Sequence, residues 1–426
     1  METKIKAEWD RLREVMIHKP GIETTFGLLE PETFLYERHF IHKKALQEHD
    51  ALENALIDEG IRVHRLKELI INKAKSDEEF RYRLCNNALN CIRFSGTKED
   101  TINAWKRLEK SIENEQIDIE QIFNILLLNP TIRLDIERPE IICTEPLANL
   151  VFVRDQQAIT DKGVVFGRMK YHQRRREVLL TKLALEAFGA NIAYELKPDG
   201  TFEGGDFMPC KNFALIGLEP RTNREGVNQI LRSKCLDFDE IVIVHQPSHP
   251  YLLEPDPQIS MHLDTYFNVI NENLVVGCKE LLRNAKIEVY IKDSSRDEYD
   301  LYKKDTNLLD YLNEKKIKII NLSILEQLCY ASNFLTIRKD FILAIDVRIN
   351  AKYRLIGLKQ KADENPSKYY ELYNKAIEDY KKSKGILFPY KKELYDYGID
   401  FVPLALPNIT GGYGGIHCMT CALSRN

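Results

Sequence analysis

Four short segments concentrate a thiol, imidazoles and carboxylates where apolar runs end. Residues 149–155 read Asn-Leu-Val-Phe-Val-Arg-Asp, which sets Asp155 at the tip of an apolar run. Residues 201–206, Thr-Phe-Glu-Gly-Gly-Asp, place Glu203 and Asp206 on either side of paired glycines. Such glycines allow a sharp turn and the close approach of another group. Read as a strand, residues 261–267 put His262 and Asp264 two apart on one face. A carboxylate beside an imidazole stabilises its charged form and raises its pKa, which suits acid–base work near neutral pH. Residues 411–421, Gly-Gly-Tyr-Gly-Gly-Ile-His-Cys-Met-Thr-Cys, lead through four glycines to Cys418, a candidate nucleophile.

Taken singly, each segment has a plainer reading as a solvated loop, a turn or a core histidine. Cys418 and Cys421 also fit a metal or redox pair. Zinc would need two more ligands, and no second Cys-x-x-Cys is present. Thioredoxin-like pairs open a helix near the start of a chain, not near its end. Together, a thiol, an imidazole and three or more carboxylates suit a cationic electrophile. A guanidinium fits, being planar, permanently charged and a five-fold N–H donor that matches carboxylates.

The elements that must position these groups read as α/β. A strand near residues 15–17 is closed by Pro20-Gly21, a helix follows over 40–59, and a strand over 61–63. After Pro146 come short apolar runs at 150–153, 163–166, 191–193, 214–216, 240–244, 274–276, 287–291, 342–345 and 400–402. Helical stretches at 174–188 and 223–234 separate some of them, and that alternation indicates an α/β fold. Residues 66–128, rich in Lys, Glu, Asn and Leu, read as a helical insertion, and 351–396 as a second, Lys/Tyr-rich one. No exact repeat shows at any fixed period.

The 426 residues are 44% hydrophobic and 30% charged, with 61 Lys and Arg against 65 Asp and Glu. A net charge of −4 gives no electrostatic reason to expect nucleic acid. Separate basic clusters such as 174–176 read as solvated faces. No run of 18 apolar residues suggests a membrane span, and the charged start lacks a secretory stretch. Nine scattered cysteines, an odd number, indicate a reduced, cytoplasmic protein.

At this point the sequence resembles the arginine deiminases of the guanidine-modifying (pentein) superfamily. The resemblance is carried by PLANLVFVRD (146–155), RRRE (174–177), EGGD (203–206), MHLDT (261–265) and GGIHC (414–418), in order. It spans roughly 9–30, 146–275 and 330–426. It implies a five-bladed α/β propeller of ββαβ-like units, with residues 1–65 and 141–426 in the propeller and 66–140 an inserted helical domain. It also implies deimination of free L-arginine to L-citrulline and ammonia with no metal or cofactor, and L-arginine or a related guanidino acid as partner, with no nucleic acid or membrane and a homo-oligomer left open. Carried over by motif, Cys418 is the nucleophile and His262 the acid–base. Asp155 and Asp264 clamp the guanidinium, Glu203 adds a clamp and proton carrier, and Asn149, Arg174 and Arg221 hold the α-carboxylate. Amidino transfer, a related guanidino or ureido acid, and a silent binding propeller are the alternatives. Three departures stand out: Tyr413 where the resemblance expects Arg, Gln156-Gln157 where it expects an apolar or Pro-containing pair, and the length of 351–396.

Overall fold

The computed structural model describes residues 3–134, 140–143 and 145–426. One pairing pattern recurs five times: an antiparallel pair of strands, then a helical crossover to a third strand parallel to the second. The first such blade is Gln157–Thr160, Gly163–Phe166, the helix Glu177–Phe188 and Ile192–Glu195. The second is Phe207–Cys210, Phe213–Leu218, the helix Arg224–Arg232 and Glu240–His245. Phe267–Asn271, Leu274–Gly277 and Lys318–Asn321 form the third, and Leu335–Arg338, Phe341–Ile345 and Asp400–Leu404 the fourth. The fifth joins the two ends of the chain. Cys421–Arg425 pairs antiparallel with Leu12–Ile17, which after the helix His42–Asp58 runs parallel to Arg62–Arg65.

Local chemistry explains the unit. In four blades the antiparallel pair is joined by two polar residues: Asp161-Lys162, Lys211-Asn212, Glu272-Asn273 and Lys339-Asp340. Lys211 and Asp340 take positive φ values of 68° and 63°, the left-handed geometry that tight hairpins use. The middle strands are buried on both faces, as a strand needing a helical crossover must be, and so read as unbroken apolar runs.

Residues 66–128 form four helices, Leu66–Ser76, Glu78–Cys91, Lys98–Glu113 and Ile119–Leu128. The segment is not purely helical: Arg93–Ser95, within it, forms a small sheet with Pro130–Arg133 and Glu140–Cys143, which follow it. In the fourth blade the crossover is extended by the helices Val347–Glu364, Pro366–Ser383 and Lys392–Asp396. A hairpin of Lys286–Asp293 and Glu298–Asn307 widens the second blade.

Two expected strands are corrected. Residues 150–153 form a turn, with Leu150 N–H donating to Leu147 and Phe152 N–H to Asn149. Their apolarity reflects burial against the core, not strand alternation. Residues 261–267 do not form one strand either; Leu263–Thr265 is a 3-10 turn and the strand begins only at Phe267. The helix expected from 174 begins at Glu177, after a 3-10 turn at His172–Arg174. No helix of the described residues is long and apolar enough to cross a membrane, and all nine cysteines are unpaired.

Candidate active site

Each blade presents the residues just ahead of its first strand to one centre. These are Asp155 in the first blade, Glu203 and Asp206 in the second, His262 and Asp264 in the third, Asn333 in the fourth and Cys418 in the fifth. The five segments are linked by hydrogen bonds that run from blade to blade and return to the start. Gly204 N–H donates to the Asp155 carbonyl at 2.8 Å, Leu263 N–H to Asp206 Oδ1 at 3.1 Å, and Ser332 Oγ to the Asp264 carbonyl at 3.1 Å. Cys418 N–H donates to Asn333 Oδ1 at 3.1 Å, and Arg154 N–H to the Cys418 carbonyl at 3.1 Å. A Cβ at Gly204 would overlap the carbonyl oxygens of Gln157 and Arg154, so this close approach needs glycine.

Cys418 is 4% exposed. Its sulfur accepts from Asn333 Nδ2 at 3.1 Å and lies 3.7 Å from Asp264 Oδ2. Burial, then the charges of Asp264 and Asp155, push the thiol well above its usual pKa, so it rests protonated. Cys421 points elsewhere, its sulfur accepting from Gln157 Nε2 at 3.4 Å. The two sulfurs therefore do not act as a pair.

His262 Nε2 is 2.9 Å from Glu203 Oε2, and Nδ1 is 3.7 Å from Asp155 Oδ1. Burial opposes its charge, but Asp155 and Glu203 outweigh that and hold it up at about 9. Glu203 is also buried, yet Arg221 and His262 hold its carboxyl down at about 2. The expected His262–Asp264 pairing is thus replaced: Asp264 Oδ2 binds His417 Nδ1 at 2.8 Å, and His262 turns to the first two blades. The 3-10 turn after His262 breaks the alternation on which same-side placement depended.

Arg174, buried at 3% exposure, is not on a solvated face. Its guanidinium donates to Asp155 Oδ2 at 2.8 Å and to Glu177 Oε2 at 2.9 Å. Arg221 stacks 4.2 Å over Tyr171 and donates to Gln258 Oε1 at 2.7 Å. Asn149 Nδ2 donates to the Phe34 carbonyl at 2.7 Å. Gln156 donates to Glu177 at 2.6 Å, while Gln157 reaches both Val153 and Cys421, so both glutamines are tied into the wall of the site.

Asn149, Asp155, Arg174, Arg221, Tyr413 and Cys418 line one narrow cavity of about 10 Å³. Around it several buried polar atoms have no hydrogen-bond partner among the described residues: Asp155 Oδ1, Asp264 Oδ1, His262 Nδ1, and Arg221 Nε and Nη1, although Nη1 lies 3.8 Å from Glu203 Oε2. Buried polar groups are nearly always satisfied, so a cluster of orphans marks where something else must bind. Two carboxylate oxygens call for N–H donors, and two guanidinium N–H groups call for an acceptor. Asp155, Glu203 and His262 could also bring ligand atoms within 4.8 Å of one another around a metal. With Glu203 already bonded to His262 and Arg174 and Arg221 adding two cations, that set is better satisfied without a third.

Sequence reasoning missed Asn333 and gave His417 no role. Asn333 occupies in the fourth blade the place that the recognised motifs occupy in the other four. Aligning those motifs on their following strands would have pointed to it.

A family described as arginine deiminase matches residues 32–425. An arginine deiminase of Halobacterium salinarum is 25% identical, the alignment covering 99% of this chain and 97% of that one. One from Staphylococcus haemolyticus is 24% identical, covering 80% and 88%. Among solved structures, the N-terminal domain of a cyanobacterial arginine dihydrolase superposes with a TM-score of 0.53 at 13% identity, over 98% of each chain. An amidinotransferase from Microseira wollei gives 0.52 at 13% identity, over 99% of this chain and 97% of that one. At such identities these structures share the fold alone.

Proposed function

The chain belongs to the arginine deiminase family, and we propose that it hydrolyses free L-arginine to L-citrulline and ammonia through a covalent bond to Cys418. The observation that carries this reading is the complementary set of unpartnered buried atoms. Asp155 Oδ1 and Asp264 Oδ1 offer acceptors to a guanidinium beside the thiol, and Arg221 offers donors to a carboxylate.

The electrostatics supply a reason for the chemistry to wait for substrate. The resting thiol is neutral because burial, and then the charges of Asp264 and Asp155, disfavour an anion there. A bound guanidinium compensates Asp155 and Asp264, the thiolate becomes accessible, and the released proton ends on the ammonia product. Cys418 Sγ then bonds to the guanidinium carbon. His262, held charged at about 9, protonates the departing nitrogen as its bond to carbon breaks. The amidino-thioether left behind is attacked by water, which gives a proton to the now neutral His262. Collapse breaks the carbon–sulfur bond, the hydroxyl proton passes to the sulfur, and a ureido product departs. Asn333 holds the sulfur in line, and Glu203 holds His262. The unpaired cysteines and the lack of a membrane-crossing helix among the described residues fit a reducing, cytoplasmic setting.

The test is to incubate purified protein with L-arginine and quantify citrulline and ammonia. Equal yields are expected, and Cys418→Ala should abolish both. Arginine consumed without ammonia would indicate transfer to an acceptor amine, and Cys418→Ala activity within tenfold of wild type would overturn the scheme.

A further inference from the structure

The carboxylate end of the cavity holds fewer available cations than its residue types suggest. Arg174 is occupied on both sides of its guanidinium by Asp155 and Glu177. Of the two, Arg221 alone has buried donors, Nε and Nη1, without a hydrogen-bond acceptor among the described residues, Nη1 lying 3.8 Å from Glu203 Oε2. Tyr413 also lines this cavity, and its backbone sits at φ 65°. A non-glycine residue held there stores strain that is common at sites that bind or move.

Behind Tyr413 stands an ammonium. Lys361, on the helix Val347–Glu364, brings Nζ to 2.6 Å from the Tyr413 hydroxyl. Its nearest carboxylate oxygen among the described residues, Asp256 Oδ2, is 3.8 Å away and accepts from the Tyr369 hydroxyl at 2.8 Å. The close partner of this cation is therefore a neutral phenol. Lys361 also lines a second, outer cavity of about 480 Å³ with Glu32, Gln360 and Glu364. Tyr413 lines the smaller cavity and Lys361 the larger, so the contact between them joins a residue of each wall.

We propose that Lys361 is the second cation for the substrate's α-carboxylate and so sets the preference for guanidino acids over guanidines that lack a carboxylate. The guanidinium enters first toward Asp155, Asp264 and Cys418. The trailing carboxylate meets Arg221 on one wall and, at the Tyr413 hydroxyl, the Lys361 ammonium on the other. The helical insertion at 351–396 then serves specificity directly, because its first helix delivers the lysine. This rests on the deimination reading above.

The experiment compares citrulline formation by wild type, Lys361→Met and Lys361→Arg, with agmatine, which has no carboxylate, as a competitor. Lys361→Met should raise KM for arginine tenfold or more, about 1.4 kcal/mol of binding, with kcat within threefold. The inhibition constant of agmatine should stay within twofold, and Lys361→Arg should restore KM to within about threefold of wild type. A KM unchanged in Lys361→Met, or equal losses for arginine and agmatine, would overturn the inference while leaving the activity in place. Absence of citrulline from the wild-type reaction would remove the deimination reading and this inference together.

Discussion

Replacing Asp264 by Asn should make Cys418 more reactive toward a neutral alkylating agent while making the enzyme a poorer catalyst. The sulfur lies 3.7 Å from Asp264 Oδ2, and after burial that charge is the largest influence holding the thiol protonated. Two unit charges at this separation repel by ~4.5 kcal/mol at an effective dielectric of ~20. That corresponds to a ceiling of ~3 pKa units. His417 Nδ1, 2.8 Å from the same oxygen, takes up part of the charge, so a drop of about one unit is the smallest expected. Thiolate nucleophilicity falls with pKa, with a slope of about 0.4–0.5, so alkylation should quicken about threefold per unit and ~40-fold at the ceiling. The assay is iodoacetamide at pH 8, following the Cys418 peptide by mass spectrometry. In parallel, kcat/KM for arginine should fall by about 100-fold or more, since the guanidinium loses a clamp. Alkylation no faster than in wild type would refute the argument and leave burial, with Asp155, as the cause of the raised thiol pKa.

His262, poised at about 9, must be charged to act as the acid. Plotted against pH, kcat/KM should therefore decline as pH rises through about 9, and a flat profile to pH 11 would exclude this role. His49 is fully buried with neither ring nitrogen partnered, and burial, then His18, presses its pKa down to about 3. Below pH 6.5 the unfolded chain takes up a proton that the native state refuses, so stability falls by ~1.4 kcal/mol per unit as pH drops toward 3. Urea unfolding of His49→Leu should accordingly show a gain of ~2 kcal/mol over wild type on going from pH 8 to pH 5, and a pH-independent difference would count against it. In Gly205→Ala the new Cβ would sit 2.7 Å from His262 Nδ1, forcing the imidazole to move. A loss of about 100-fold in kcat is expected with the thermal transition retained; near-normal turnover would mean the ring position is not critical.

The residues that gather at the candidate site stood out in the sequence wherever a short motif ahead of one strand carried them. Asp155, Glu203, His262, Asp264 and Cys418 each stand immediately ahead of a strand, and the glycines around them mark a backbone packed against its neighbours. Partnership was not legible. His262 meets Glu203 across 59 residues and His417 meets Asp264 across 153, separations no local pattern encodes. Arg174 looked like part of a solvated basic run because Arg175 and Arg176 follow it. Only the Glu177 and Asp155 contacts show that a 3-10 turn carries it inward. The apolar run 150–153 misled in the opposite sense, since burial without strand geometry leaves the same composition. The five-fold repeat, which the resemblance implied, shows no period in the sequence because insertions of unequal length in the third and fourth blades and in the segment after Arg65 destroy it, while strand pairing preserves it.

The fifth blade brings a consequence for how this molecule is made. Leu12–Ile17 leaves the ribosome some four hundred residues ahead of its antiparallel neighbour, Cys421–Arg425. Until then one edge of an apolar strand stays open, a hazard for sticking to other nascent chains. The sulfur arrives with that same final stretch. Completing the fifth blade and arming the site are therefore one event, so a growing polypeptide carries no reactive centre before Cys421–Arg425 docks.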